Sequence, residues 1–296
     1  MSGRIAGNQL YNKRGSMKIL SSLRHTFAAL VAATLAVGAP TRAAAVTVSP
    51  TALFIDSRSP SATLTLYNSG TLPEELEVSF AFGYPVSDST GRVAVELLDS
   101  AGAGEPSLVP YLRAFPRRLT LQPGQRQTLR VLVQPPASLA AGEYWGRVLV
   151  RARGGQPPIE QTQGNVRMEL SVETVIATAV LFRKGSVETG IRVRDARAER
   201  VGDAVRATFD VERGGSAVYL GRVTAQLVGP DGRVVEETGD ALALYRTLRL
   251  RFAFRLPAGA PRAGYTVRYT FDNERPDLPL PGPVTAAPVT GTLAVQ

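Results

Sequence analysis

The 296-residue chain contains no cysteine, and its one histidine is His25. The first absence excludes disulfides, thiolate chemistry and any Cys-based metal site. The second removes the usual base of a catalytic triad and the usual nitrogen ligand of zinc, because His25 lies in a leader that is expected to be removed. Lysine is nearly absent too: beyond residue 45 only Lys184 remains, and every other side-chain cation is Arg. Long hydrophobic runs are missing. The longest, 26–38, has 13 residues and is too short to span a bilayer. No amphipathic helix pattern is found after it. There is also no row of aromatic residues of the kind a carbohydrate-binding sandwich presents.

The first 45 residues read as a secretory signal peptide. Lys13, Arg14, Lys18 and Arg24 form a basic segment before the 26–38 run, and Ala43-Ala44-Ala45 offers an A-x-A cleavage site. Met17 is a candidate alternative start. The leader carries six Lys or Arg and no acid, so the formal charge of +9 falls to +3 without it. A high isoelectric point is then no argument for nucleic-acid binding. The remaining 251 residues suffice for one large or two ordinary domains, held together by core burial alone.

Beyond the leader the pattern is β throughout. Short alternating segments recur, separated by Asn68-Ser69-Gly70, Gln122-Pro123-Gly124, Pro135-Pro136, Gly214-Gly215, Gly229-Pro230-Asp231-Gly232 and Pro257-Ala258-Gly259. The segment 153–164, rich in Gly, Pro and Gln, reads as a mobile loop. Seven short strands after residue 187 read as an antiparallel sandwich. An interruption at Lys184-Gly185-Ser186 divides the chain into 46–183 and 187–296.

The stretch 165–185 organises the rest. Val166, Met168, Leu170 and Val172 alternate with Arg167, Glu169, Ser171 and Glu173, the period of a strand with one apolar face. From Val175 to Phe182 the alternation gives way to a nearly continuous apolar run, as in a strand buried on both sides. One strand of this length spans roughly 60 Å, about three times a typical one. Its edge can be lent to another chain, with main-chain hydrogen bonds giving affinity and alternate side chains giving register.

Other chemistry-bearing residues have plainer readings. Asp231 and Asp240 fit turns rather than metal ligation. Glu74, Glu75 and Glu77 fit a solvated strand start. Trp145 fits a core position. Arg113, Arg117 and Arg118 lack the Gly-rich loop or helix N-terminus of a phosphate site. No constellation supports catalysis, and no cofactor is implied.

Taken in order, Val46-Thr47-Val48-Ser49-Pro50-Thr51, Ala62-Thr63-Leu64-Thr65-Leu66-Tyr67-Asn68, Pro116-Arg117-Arg118-Leu119-Thr120-Leu121-Gln122-Pro123-Gly124-Gln125, Thr128-Leu129-Arg130-Val131, Gly142-Glu143-Tyr144-Trp145 and Leu181-Phe182-Arg183 resemble the PapD-like periplasmic pilus chaperones. The motifs cover the first half well; the second half is similar in size and strand pattern. The resemblance implies an all-β protein of two immunoglobulin-like sandwiches in series, an L-shaped pair. It implies a periplasmic chaperone that lends a strand, in parallel orientation, to pilin-type subunits and delivers them to an outer-membrane usher. Met168, Leu170 and Val172 would be the inserted side chains, with Val166 and Thr174 at the margins. In that family an Arg on the first strand and a Lys late in the long strand anchor the subunit's terminal carboxylate. Here Ala52 and Ala179 take those positions, and neither can form a charge-assisted hydrogen bond. The nearest cations, and so the candidate anchors, are Arg58, Arg183 and Lys184. The rival reading is a structural or adhesive immunoglobulin-like module of the cell envelope. Neither reading needs an enzyme, a nucleic-acid partner or an integral membrane segment after the leader is removed.

Overall fold

The computed structural model describes residues 46–98, 100–155, 159–163, 166–170, 172–279 and 282–296, with 159–163 and 166–170 described by backbone alone. The expected leader, 1–45, lies outside the described residues. What is described is built almost entirely of strands in two successive sandwiches.

In the first, β1 (Val46–Ser49) and β2 (Ala52–Asp56) are consecutive but belong to different sheets. The chain passes from one to the other through a cis Ser49–Pro50 peptide. Next come β3 (Ser61–Asn68), the long β4 (Glu74–Ser87), β5 (Val93–Leu98), β6 (Leu112–Phe115), β7 (Arg118–Leu121), β8 (Arg126–Val133) and β9 (Gly142–Arg153). One sheet has the order β1-β3-β8-β6. Its inward residues alternate: Leu64 and Leu66 on β3, Leu129, Val131 and Val133 on β8. Asn68 is the exception, a polar residue buried in phase with the leucines. It is satisfied: its Nδ2 donates to the carbonyls of Leu72 (2.8 Å) and Leu121 (3.0 Å), and its Oδ1 accepts from Gly70 N (2.8 Å).

Three more strands complete this half: β10 (Ile159–Gln163), β11 (Val166–Leu170) and β12 (Glu173–Lys184). The second sheet has the order β2-β12-β9-β4-β5, with β7 also paired to β4. Its inner face adds Leu76, Val78, Val148, Val150, Val180 and Phe182 to the same core.

The second sandwich comprises β13 (Thr189–Val201), β14 (Ala204–Gly215), β15 (Tyr219–Val228), β16 (Val234–Leu244), β17 (Thr247–Arg255), β18 (Thr266–Asp272) and β19 (Val289–Ala294). These are the seven strands expected from the sequence, in sheets β13-β14-β17 and β16-β15-β18-β19. Phe209, at the centre of its core, makes edge contacts with Phe252, Tyr269 and Phe271 at 5.0–6.1 Å between centroids. Gly185 marks the passage between the halves with φ of +73°, a left-handed conformation that costs glycine little.

A third apolar cluster joins the two. Ala52, Phe82, Trp145, Ala179 and Leu181 on the outer face of the six-stranded sheet pack against Val218, Leu220 and Tyr245 of the second sandwich. This explains the apolar run in β12. Val180 and Phe182 face the first core, while Ala179 and Leu181 face the seam.

Two expectations need correction. The stretch 165–185 is two strands, not one. Among the described residues β11 pairs only with β10, while β12 pairs with β9 from Glu173↔Arg153 to Lys184↔Gly142. The two registers do not continue into one another: Glu173 stands opposite Arg153, but Leu170 stands opposite Ile159. Gly154 has φ of +93°, and Pro157 and Pro158 have no N–H to offer a ladder. The reading of 153–164 as a loop is likewise replaced at Ile159–Gln163, which forms β10. The two intervening residues, Gly164-Asn165, are a pair favoured in two-residue hairpins.

Candidate functional site

The sheet order fixes which edges are open. β12 has β9 along its whole length on one side. On the other it has β2, in parallel, only from Ala179↔Ala52 to Arg183↔Asp56. Among the described residues, the segment 173–178 therefore has no strand on its β2 side. β11 precedes β12 and, among the described residues, pairs with β10 alone, in a separate two-stranded sheet. Among the described residues, β12 thus has an open edge at 173–178 that stops where β2 begins, and β11 has one unpaired side.

Along this edge the exposed face of β12 carries Glu173, Val175 and Ala177. Val172 is half exposed, Val175 is 44% exposed and Ala177 is exposed, while Thr174 and Ile176 are partly buried. Across β12 and β9 the face becomes charged: Arg151 Nε and Arg153 Nε reach the two carboxylate oxygens of Glu173 at 2.6 and 2.5 Å. Val166, Met168 and Leu170 occupy register positions opposite Gln163, Gln161 and Ile159.

Ala52 and Ala179, singled out by the sequence, are direct register partners at the end of the open edge. Both are buried in the seam with Trp145, Phe82 and Tyr245. No cation is placed there by either residue. Arg183, four positions further along β12, is committed elsewhere. Its Nε donates to Glu143 Oε2 (2.6 Å), its Nη1 to the carbonyl of Gly282 (3.0 Å), and its guanidinium lies over the Phe54 ring. Lys184 Nζ donates to the carbonyls of Ala137 (2.7 Å) and Leu139 (2.6 Å). Arg58 lies exposed in the turn after β2, its backbone N held by Asp56 Oδ1 at 2.8 Å.

The residue that sequence reasoning missed is Glu143. It is 2% exposed, yet charged and in the seam. Its Oε1 accepts the backbone N–H of Val218 at 2.7 Å, while Oε2 takes Arg183. Burial raises its carboxyl above the usual range, opposed by the Arg183 and Val218 hydrogen bonds and by the Arg213 charge. A signal existed: in Glu143-Tyr144-Trp145, alternation puts the acid on the same face as the core tryptophan. Glu74 also departs from expectation. It is in phase with Leu76 and Val78, is buried rather than solvated, and burial raises its pKa.

The other candidates stay apart. Asp231 Oδ1 accepts from Arg233 N in a turn. Arg113 donates to the carbonyls of Pro110 and Leu112, Arg117 lies over Phe80, and Arg118 pairs with Glu77. Among the described residues no three His, Cys, Asp or Glu converge on a metal-sized site, and no helix is long and apolar enough to cross a membrane.

No protein-family model matches the chain, and no curated protein matches it. Among solved structures it is similar to a chain of the Salmonella enterica complex of SafA pilin with the SafB chaperone: 14% identity, 86% of this chain, 98% of that one, TM-score 0.39. It is also similar to the Pseudomonas aeruginosa CupB2 chaperone (12% identity, 84% and 100% covered, TM-score 0.38). A third is the E. coli chaperone DraB (15% identity, 86% and 98% covered, TM-score 0.38). At such values these likenesses assign no function.

Proposed function

We propose that this chain is a periplasmic chaperone that lends the 166–178 edge to pilin-type subunits and hands them to an outer-membrane usher. The observation that carries the reading is the open edge ending at β2. A strand added there parallel to β12 would lie in line with β2 and carry its C-terminus towards Ala52. Each main-chain hydrogen bond so formed contributes roughly 0.5–1.5 kcal/mol net. The side chains of Met168, Leu170 and Val172, with Val166 and Thr174 at the margins, would fill the client's open core and set the register. The motifs shared with the PapD-like family point the same way.

The carboxylate anchor is proposed to differ from the family's. An added strand reaching Ala52 and Ala179 would meet a seam whose nearest cation, Arg147, stands opposite Ala179 on β9 but is buried over the Tyr245 ring with its Nε donating to the carbonyl of Gly83. Arg183 and Lys184 would have to give up internal partners before binding a client, whereas Arg58 is exposed. Residues 46–183 and 187–296 are proposed as the two domains, after removal of a signal peptide ending at residue 45. The reading requires neither catalysis nor a cofactor. A pull-down of the protein from periplasm, with mass spectrometry of what co-elutes, tests it. Recovery of subunit-like proteins that lack a final strand supports the reading, and recovery of the chain alone from cells making surface fibres overturns it.

A further inference from the structure

The six-stranded sheet has a second open edge, at the opposite end from β2. It belongs to β5, which forms a hairpin with the distal half of β4, Phe82↔Leu98 to Ser87↔Val93. On its other side no described strand pairs with it. Five of its six residues are exposed, among them Val93 (43%), Val95 (47%) and Leu97 (43%), which alternate onto one face. Edge strands in natural proteins are commonly blunted by Lys, Pro, a bulge or a covering segment. β5 has no Lys, no Pro and no register shift against β4. The hairpin is also held in place. Asp88 Oδ1 accepts from the backbone N of Thr90 (2.8 Å) and Arg92 (3.0 Å), fixing the turn. Ser87 Oγ accepts from Arg249 N of β17 at 2.7 Å, tying the arm to the second sandwich.

The sequence of this edge is complementary to itself. In an antiparallel pair centred on Ala94, Ala94 stands opposite its own copy. Val93 then stands opposite Val95 and Arg92 opposite Glu96, and the two-fold axis makes each of these pairs twice. One face of the pair is apolar, and the other carries two cross-strand ion pairs flanking the alanines. Directly opposed charges of opposite sign stabilise such a pair, and like charges destabilise it. Shifting the centre to Val95 would place Glu96 opposite Ala94 and Arg92 opposite Leu98, losing both ion pairs. We propose that β5 is a self-association edge: two copies of this chain join their six-stranded sheets through antiparallel β5–β5 pairing centred on Ala94. This edge is separate from 166–178, and the inference does not depend on the chaperone reading.

The absence of cysteine makes the test clean. Directly opposed residues have Cα atoms about 4.5–5.5 Å apart, within the range that a disulfide spans. Ala94→Cys is therefore expected to form a disulfide-linked dimer under mild oxidation. Val95→Cys, whose own copy is a diagonal neighbour at about 7–8 Å, is expected not to. Sedimentation equilibrium of the purified full chain should show a concentration-dependent dimer. Arg92→Glu or Glu96→Arg, each placing two like-charge pairs in the interface, should weaken it by roughly tenfold. The double variant Arg92→Glu/Glu96→Arg should restore it. Circular dichroism of each variant checks that the fold is intact. A strictly monomeric protein, a dimer indifferent to the charge reversals, or cross-linking through Val95→Cys in place of Ala94→Cys overturns the proposal.

Discussion

Glu143 Oε1 accepts the backbone N–H of Val218 at 2.7 Å, so a carboxylate of the first sandwich holds the main chain of the second. The same carboxylate pairs with Arg183 at 2.6 Å. A buried group with two such partners ties the seam in a way that apolar contact alone does not. Removing it strands a guanidinium and a backbone donor together.

Glu143→Ala is therefore expected to cost about 3–5 kcal/mol, the range for breaking a buried pair from one side. Denaturant unfolding should show it, with the single transition splitting in two as the sandwiches uncouple. Glu143→Gln keeps an acceptor for Val218 and should lose less.

The raised carboxyl of Glu143 gives a signed pH dependence. A group that holds its proton more tightly when folded stabilises the fold most at low pH, and that contribution falls as pH rises. The stability difference, wild type minus Glu143→Gln, should decline from its value below about pH 4.5 as pH rises through the folded pKa. Urea titrations across that range check it, and a difference that grows with pH would refute it.

Asp210 works in the opposite sense. Arg249 Nε and Nη2 donate to its two oxygens at 2.7 Å each, and this hydrogen bonding holds its carboxyl below the usual range. Its stabilisation is complete above the unfolded pKa, about 3.9, and is lost as pH falls through the lower folded value. Asp210→Asn should thus unfold at a less acid-dependent denaturant midpoint below about pH 4 than the wild type, while being less stable at neutrality.

Leu170→Glu is expected to abolish co-purification of client subunits while shifting the melting temperature by only a few degrees, because a charge placed in a client's apolar groove costs several kcal/mol. Val175→Glu, on the opposite face of β12 from Thr174, should affect binding less. If Leu170→Glu instead unfolds the protein, that side chain belongs to the protein's own core and strand donation loses its main support.

Cleavage of a signal peptide after Ala45 is expected. Val46 is buried and pairs with Asn68 as the first residue of β1. Cleavage after Ala45 would leave it at the new N-terminus with its pairing intact. N-terminal sequencing should begin Val-Thr-Val-Ser.

The strands of the second sandwich were legible because alternation there meets one core and one solvent face. Along Thr247–Arg255, Leu248, Leu250, Phe252 and Phe254 alternate into the core. What alternation could not convey was the seam. Leu181 and Val180 are both buried, but against different partners, and no period distinguishes a core from an inter-sandwich contact. β10 escaped for a related reason: Ile159 to Gln163 contains one apolar residue and so shows no alternation, although its backbone pairs with β11. The open edge was only half visible. Sequence pattern indicated an apolar strand, but the point where β2 stops covering it is a property of register.

Trp145 is the chain's only tryptophan, and it lies in the seam rather than in either main core. Its ring stacks on Phe82 with centroids 6.1 Å apart and meets Tyr245 edge-on at 5.2 Å. Intrinsic fluorescence excited at the indole is thus a built-in reporter for the parting of the two halves. An emission red-shift that precedes loss of the β signal in circular dichroism would register the seam opening while both sandwiches remain intact, with no label introduced.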